Sequence, residues 1–381
     1  MRQSRPADDP PSIVYFVSTL SAGGAQIGMV RLLCGLDLDR YDVTVVTVGS
    51  RGADVAADLP ERVRLIDLQG LSRLRAPWVL YRTIDSADVL VCSLYHATIC
   101  GRLCGTVARR PVIVNWHHSE RFSGYGRELL YRATSPLSDL ILADSRPVAR
   151  RLRTEYGVSP ERVQTVPIAG IDTDRFAPTD ASSPSDELHV ATVGSLIPAK
   201  RHDRILETAR VLDGRSGDPE IIFNVAGTGP LAGDLQESRD SMGVDTVRFH
   251  GFVEDVPAFL NCNDVYVHTS DYEGLCIAAL EAMACELPVV ATPAGGLATY
   301  VDHGESGYLL SDPNPDAFAD AILSLCASDL RRELGQRGRA IVAEGYSRDV
   351  LVSSFEAALD AVCSSEQHDS HQPPRRRPTL G

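Results

Sequence analysis

The stretch SDYEGLCIAALEAMACELPVVAT (270–292) sets two carboxylates, Glu273 and Glu281, eight residues apart at either end of a helix-forming run. Glu273 falls in the loop at a strand end, and Glu281 falls mid-helix among Ala279, Leu280, Ala282 and Met283. A carboxylate in such small, apolar company needs hydrogen-bond partners, because burying an unpaired charge is prohibitive. Sugar hydroxyls are suitable donors, and backbone amides or a neighbouring arginine would serve as well. The amides of Gly274, Leu275 and Cys276 open the helix, and such free N–H groups with the helix dipole attract phosphate. A second stretch, VGSLIPAKRHDRIL (193–206), holds the only lysine among 37 basic residues. Lys200 follows an apolar run ending in Gly194–Ser195 and a short loop, which lets it bring a point charge to that phosphate. The alternative is an ordinary surface lysine.

Near the N-terminus, Gly23–Gly24 in LSAGGAQ (20–26) can approach a phosphate or an acceptor without a Cβ clash. A tight turn feeding a helix at Ala25 explains the pair equally well. Neither Gly227-x-Gly229 nor Gly194 completes a GxGxxG fingerprint, which argues against a nicotinamide dehydrogenase.

These residues need strand ends to hold them, and the chain supplies them. Short apolar runs alternate with longer helical patterns, the signature of βαβ units and parallel sheets. The strand candidates of the first half are 13–17, 42–48, 63–68, 88–92, 111–115 and 139–143. A segment rich in Pro, Ser and acid (177–187) reads as a linker. The pattern restarts with 188–194, 220–227, 246–251, 264–268 and 287–292. The expectation is therefore α/β, with two doubly wound parallel-sheet domains facing a central cleft, where such folds bind ligands. The first domain spans 12–176 after a flexible start (1–11), and the second spans 188–346. A terminal amphipathic helix (347–363) follows with Ser347 as its N-cap, and 364–381 reads as disordered.

At 381 residues the chain is long enough for two proper cores. Its net charge of −14 argues against a nucleic-acid partner. Arg375–Arg377 lie in a Pro/Ser/His-rich tail and offer at most weak peripheral contact with anionic lipid. No stretch reaches the roughly 18 apolar residues of a membrane span. Nine cysteines, none in a CxxC pair, point to a reducing, cytoplasmic setting and to no metal site. Cys92, Cys100, Cys104 and Cys285 read as small buried hydrophobes.

The segment EGLCIAALEAMA resembles the EX7E motif of retaining glycosyltransferases of family 4, which have the two-domain GT-B fold. GSLIPAKRHDRIL is similar to the GR-x-x-x-x-KG stretch of that family. VAGTGPL (225–231), RFHGFVEDVPAFLNCNDVYVHTS (248–270), LSAGGAQ and VPIAGIDTDRF (166–176) continue the resemblance in order, from about residue 12 to 363. The resemblance implies a nucleotide-diphosphate sugar donor on the second domain, an acceptor mainly on the first, retention at the anomeric carbon, no obligatory metal and no bound cofactor. It assigns the diphosphate to Lys200, sugar hydroxyls to Glu273, the ribose to Glu281 and the base to the backbone near Val253. It also implies a histidine beside the reacting sugar, at VNWHHSERF (114–122). His117 fits an H-x-S-E pattern and His118 a W-x-H pattern, and the former is slightly preferred.

The chain departs from the family pattern at several positions. Ser195 stands where the family has an arginine, and Arg201 stands where a glycine follows the lysine. Arg201 is then the nearest candidate for the missing second charge. Two other classes remain open at this level. One is a non-catalytic GT-B partner subunit, suggested by the scattered departures. The other is a glycoside hydrolase using Glu273 and Glu281 as a carboxylate pair roughly 5–9.5 Å apart.

Overall fold

The structure is a computed structural model that describes residues 10–49, 55–108, 111–119, 124–179, 187–215 and 219–369, with side chains to 364. The expected flexible start, most of the expected linker and the arginine-bearing tail lie outside the described residues.

Runs such as SIVYFV, mostly apolar and rich in β-branched and aromatic residues, become strands covered by helices on both faces. Every residue of β1 (Ser12–Val17) is buried. It is joined by β2 (Asp42–Thr47), β3 (Arg64–Asp67), β4 (Val89–Ser93), β5 (Val112–His117), β6 (Leu140–Ala143) and β7 (Val163–Thr165). All pair in parallel in the order β3-β2-β1-β4-β5-β6-β7, with Ile13 opposite Val43 on one side and Val89 on the other. The helices of this half are α1 (Gly24–Gly35), α2 (Arg75–Asp85), α3 (Tyr95–Val107), α4 (Tyr125–Thr134) and α5 (Arg146–Thr154). Ser145 caps α5 by accepting from the Val148 amide, with Pro147 in the first turn.

The second sheet repeats the plan. Its strands are β8 (Glu187–Val193), β9 (Glu220–Ala226), β10 (Val247–Gly251), β11 (Val265–His268), β12 (Val289–Ala291) and β13 (Gly307–Leu309), in the parallel order β10-β9-β8-β11-β12-β13. Around it lie α6 (Asp203–Asp213), α7 (Ala232–Met242), α8 (Val256–Asn261), α9 (Ile277–Ala284), α10 (Leu297–Tyr300), α11 (Pro315–Ser324) and α12 (Ser328–Gly345). In each sheet the strand order reverses beside the first strand, between β1 and β4 and between β8 and β11. A doubly wound sheet opens a crevice at that switch.

The last helix, α13 (Arg348–Asp369), begins right after Ser347 and continues past the expected end at 363. It lies against α1 of the first sheet, close enough that a Cβ on Gly35 would crowd Val352. Phe355 stacks on Trp116 of β5 with centroids 5.6 Å apart. The largest apolar cluster runs through α1, α9, β12 and α13, so it belongs to both halves.

Two expectations are corrected. The short strands β7 and β13 have no counterpart in the sequence reading, because three residues carry too little pattern. Cys92 and Cys285 are buried, but Cys100 is exposed and Cys104 only partly covered, because both lie on α3 away from its fully buried positions. All nine cysteines are free.

Candidate active site between the two domains

A cleft of about 520 Å³ separates the carboxyl ends of the two sheets. From the first sheet it takes Gly23, Gly24, Leu94, His118 and Asp144. From the second it takes Gly194, Ser195, Lys200, Phe252 and Val253, then Glu273 to Cys276 with Glu281.

Lys200 ends a short 3-10 turn, Pro198–Lys200, which follows β8. Thr269, just past β11, donates to the carbonyls of Lys200 and Arg201 at 2.9 Å, and the Asp271 amide donates to Ala199 at 2.9 Å. These bonds fix the turn beside the loop that carries Glu273. Lys200 Nζ then lies 2.5 Å from Glu273 Oε1. His268 Nε2 and Ser270 Oγ reach the same oxygen at 2.7 Å each. Burial alone would raise the Glu273 pKa, but the Lys200 charge and the His268 hydrogen bond hold it well below the usual carboxylate range. Burial likewise opposes the Lys200 charge, and the carboxylate raises its pKa regardless.

His268 was not singled out by the sequence reading. It ends an apolar strand and reads there as one more buried strand residue. Burial disfavours its charged form, yet the Cys276 sulfur, 3.3 Å from Nε2, and Glu273 raise its pKa to about 9. His268, Glu273 and Cys276 offer one nitrogen, one oxygen and one sulfur within 4.8 Å, a set of metal-type donors. The Lys200 ammonium already sits on the same Glu273 oxygen and supplies the positive charge there.

Gly274, Leu275 and Cys276 lead into α9 as expected, with Cys276 as N-cap at φ 64°. The Tyr300 hydroxyl holds the Cys276 carbonyl at 2.9 Å, and Ser145 of the first domain donates to the Gly274 carbonyl at 3.0 Å. A Cβ on Gly274 would run into the His118 carbonyl, so glycine is what lets the two halves approach here. Glu281 is held at 2.5 Å by Arg31 Nη2, from α1 on the other side of the cleft. The sequence reading allowed an arginine partner but did not point to Arg31, the one charged residue of the apolar helix α1.

His118, not the preferred His117, faces the cleft. Its Nδ1 lies 2.9 Å from Asp144 Oδ2 and its Nε2 2.8 Å from Ser93 Oγ. His117 is the last residue of β5, where the side chain turns to the opposite face and packs on Tyr131 and Tyr156. Burial, with help from His118 and Arg102, pushes its pKa down to about 3.

Arg201 also leaves the site. Its backbone is left-handed (φ 50°), which accounts for a glycine at this position in the family pattern. That turn directs the guanidinium to Asp203 (2.7 Å) and Asp271 (3.4 Å) and away from the cleft. The expected second charge on a phosphate therefore does not come from Arg201.

Two family models adjoin along residues 22–341: "Glycosyltransferase Family 4" over residues 22–175 and "Glycosyl transferases group 1" over 175–341. The chain belongs to glycosyltransferase family 4. A D-inositol 3-phosphate glycosyltransferase of Geodermatophilus obscurus is 34% identical over 254 residues, which cover 60% of this chain and 55% of that one. One from Kribbella flavida is 29% identical over 240 residues, covering 58% and 56%. The chain spans about half the length of the curated relatives it matches. Among solved structures, Anabaena Alr3699/HepE in complex with UDP and glucose superimposes with a TM-score of 0.77 at 19% identity, covering 92% of this chain and all of that one. A sucrose-phosphate synthase from Thermosynechococcus elongatus gives 0.76 at 19% identity, covering 93% and 100%. These likenesses establish the GT-B fold. Among the described residues, no helix is long and apolar enough to cross a membrane.

Proposed function

We propose that this family 4 protein transfers a glycosyl group from a nucleotide-diphosphate sugar to an acceptor hydroxyl, with retention at the anomeric carbon and no catalytic metal ion. The observation that carries the reading is the convergence of Lys200, the Gly274–Cys276 amides and the Lys200-bound Glu273 on one wall of the interdomain cleft.

In this reading the diphosphate lies against Lys200 and the amides that open α9, where charge and helix dipole both favour an anion. The Glu273 oxygen not held by Lys200, His268 and Ser270 accepts from hydroxyls of the transferred sugar. Glu281, steadied by Arg31, accepts from the ribose, and the base meets the backbone at Val253. The acceptor oxygen attacks the anomeric carbon from the face the phosphate leaves. The carbon–phosphate-oxygen bond breaks, and the departing phosphate takes the acceptor proton. Lys200 and the amides stabilise the charge that builds on the diphosphate. His118, held at both ring nitrogens, shapes the sugar pocket and takes no part in moving the acceptor proton.

A hydrolase pair is disfavoured because each carboxylate is committed to its own cation, Glu273 to Lys200 and Glu281 to Arg31. The test is nucleotide diphosphate release from a panel of nucleotide sugars, with D-inositol 3-phosphate as the first acceptor tried. Product anomers are read by NMR, with and without a chelator. Release that depends on acceptor and survives chelation supports the reading. Inversion, a metal requirement or hydrolysis of aryl glycosides without nucleotide counts against it.

A further inference from the structure

The outer helices of the first sheet carry a surface that the cleft does not use. α2, α3 and α4 pack side by side. Their inward residues, such as Leu80 and Ile84, fill the core, while large apolar side chains also point outward. Leu74, at the head of α2, is 87% exposed and Trp78 is 63% exposed. Val107 on α3 and Tyr125 on α4 are exposed to a similar degree. Single exposed apolar residues are ordinary, but a set spread over three neighbouring helices marks a surface meant to be covered.

Charge follows the same distribution. Residues 71–153, which carry α2 to α5, hold thirteen arginines and six carboxylates, a net of +7 in a chain of −14, and that net is unchanged when the buried Arg102 and Asp144 are set aside. Arg73 and Arg75 flank Leu74, and the Arg82 guanidinium lies 5.9 Å from the Trp78 ring. α5, which shares a core cluster with α4, exposes Arg146 and Arg150. Apolar and aromatic side chains among arginines, on an otherwise acidic protein, complement a negatively charged lipid surface. A second copy of this chain docking through the same face would bring the same positive charge and be repelled.

We propose that this face docks on an anionic lipid bilayer, with Leu74 and Trp78 entering the headgroup region and the surrounding arginines meeting lipid phosphates. The proposal goes beyond the donor-site reading and does not depend on it. One of the helices, α3, starts right after the cleft-lining Leu94. The docked face thus shares its rim with the cleft, and an acceptor hydroxyl carried in the bilayer would approach from that side.

The test is flotation of the full chain with phosphatidylglycerol vesicles and with phosphatidylcholine vesicles. Phosphatidylglycerol should carry the protein, and phosphatidylcholine about tenfold less or lower. Trp116 is only 1% exposed, so a blue shift in tryptophan emission on binding reports Trp78 and should vanish in Trp78→Ala. The double variants Leu74→Asp/Trp78→Asp and Arg73→Glu/Arg75→Glu should each weaken phosphatidylglycerol binding by about tenfold or more. Leu323→Asp, an exposed apolar position on α11 of the second domain, should leave binding unchanged. Absence of flotation, or flotation indifferent to both double variants, overturns the proposal. So does a wild-type dimer that Trp78→Asp makes monomeric, because a second copy would then occupy the face.

Discussion

Arg31 of the first domain and Glu281 of the second form a 2.5 Å ion pair across the cleft, with both side chains about nine-tenths buried. Each would be a buried charge without the other. Arg31→Ala is expected to cost about 3 kcal/mol of stability, the usual consequence of orphaning a buried partner. An Arg31→Leu/Glu281→Leu double variant should regain most of that stability yet bind nucleotide poorly. Denaturant unfolding with titration of UDP separates the two effects. A double variant with native nucleotide affinity would remove Glu281 from the ribose site.

Lys200 and Glu273 form the second pair, and here the two members should behave differently. Lys200→Ala removes a charge-assisted phosphate contact worth about 1.5–3 kcal/mol, or roughly tenfold to a hundredfold in donor affinity. Lys200→Arg should lose most activity, since a planar fork does not replace a compact ammonium at this reach. Glu273→Gln should depress turnover severely while nucleotide affinity changes little. Steady-state kinetics with calorimetric titration of nucleotide diphosphate checks all three, and a fully active Lys200→Arg protein would show that the lone lysine has no such task.

For the histidines the expected order is His118 over His117. His118→Ala should lower the transfer rate by up to about a hundredfold with donor affinity nearly intact, the scale of a lost positioning contact. His117→Ala should act on stability, because its ring fills a pocket between Tyr131 and Tyr156. Turnover and melting temperature measured side by side decide it. Equal, near-native rates in both would leave His118 as a loop-shaping residue only.

His268 gives a pH dependence. Its pKa rises from 6.5 to about 9 on folding, so the protonated ring favours the native state. That stabilisation is complete below pH 6.5 and fades as the pH climbs through about 9. The groups around the ring are Glu273, Cys276 and Ser270, with Tyr266 stacked on it and His202 close by. Unfolding free energy should therefore decline by a few kcal/mol across this window, and His268→Gln should flatten the decline. An unchanged slope in that variant would place the titration elsewhere.

The fold was legible where burial wrote a long pattern. Strands such as IVYFV and EIIFNVAG are predominantly apolar runs, and their order of alternation with helices implies the parallel sheets. β7 and β13, three residues each at sheet edges, carried no such pattern. In the site, Lys200, Glu273 and the amides before α9 were readable because each sits where a strand hands over to a helix. His117 and His118 were not separable, since side chains alternate along a strand and a register error of one residue exchanges the faces. Arg201 was misassigned because sequence gives the charge but not the left-handed backbone that turns it away. His268 and Arg31 were invisible for the opposite reason: each suits its own strand or helix, and only the approach of the second sheet gives it a partner.

The stacking of Phe355 on Trp116 also bears on how the protein is made. Synthesis proceeds from the N-terminus, and domains generally fold as they emerge. The first sheet can form early, but the helix that covers Trp116 and α1 is translated only after the whole second domain. Until then a nascent chain with a formed first sheet presents an uncovered aromatic surface. The first domain is begun first and finished last, and that interval is when the chain is most open to aggregation or to a chaperone.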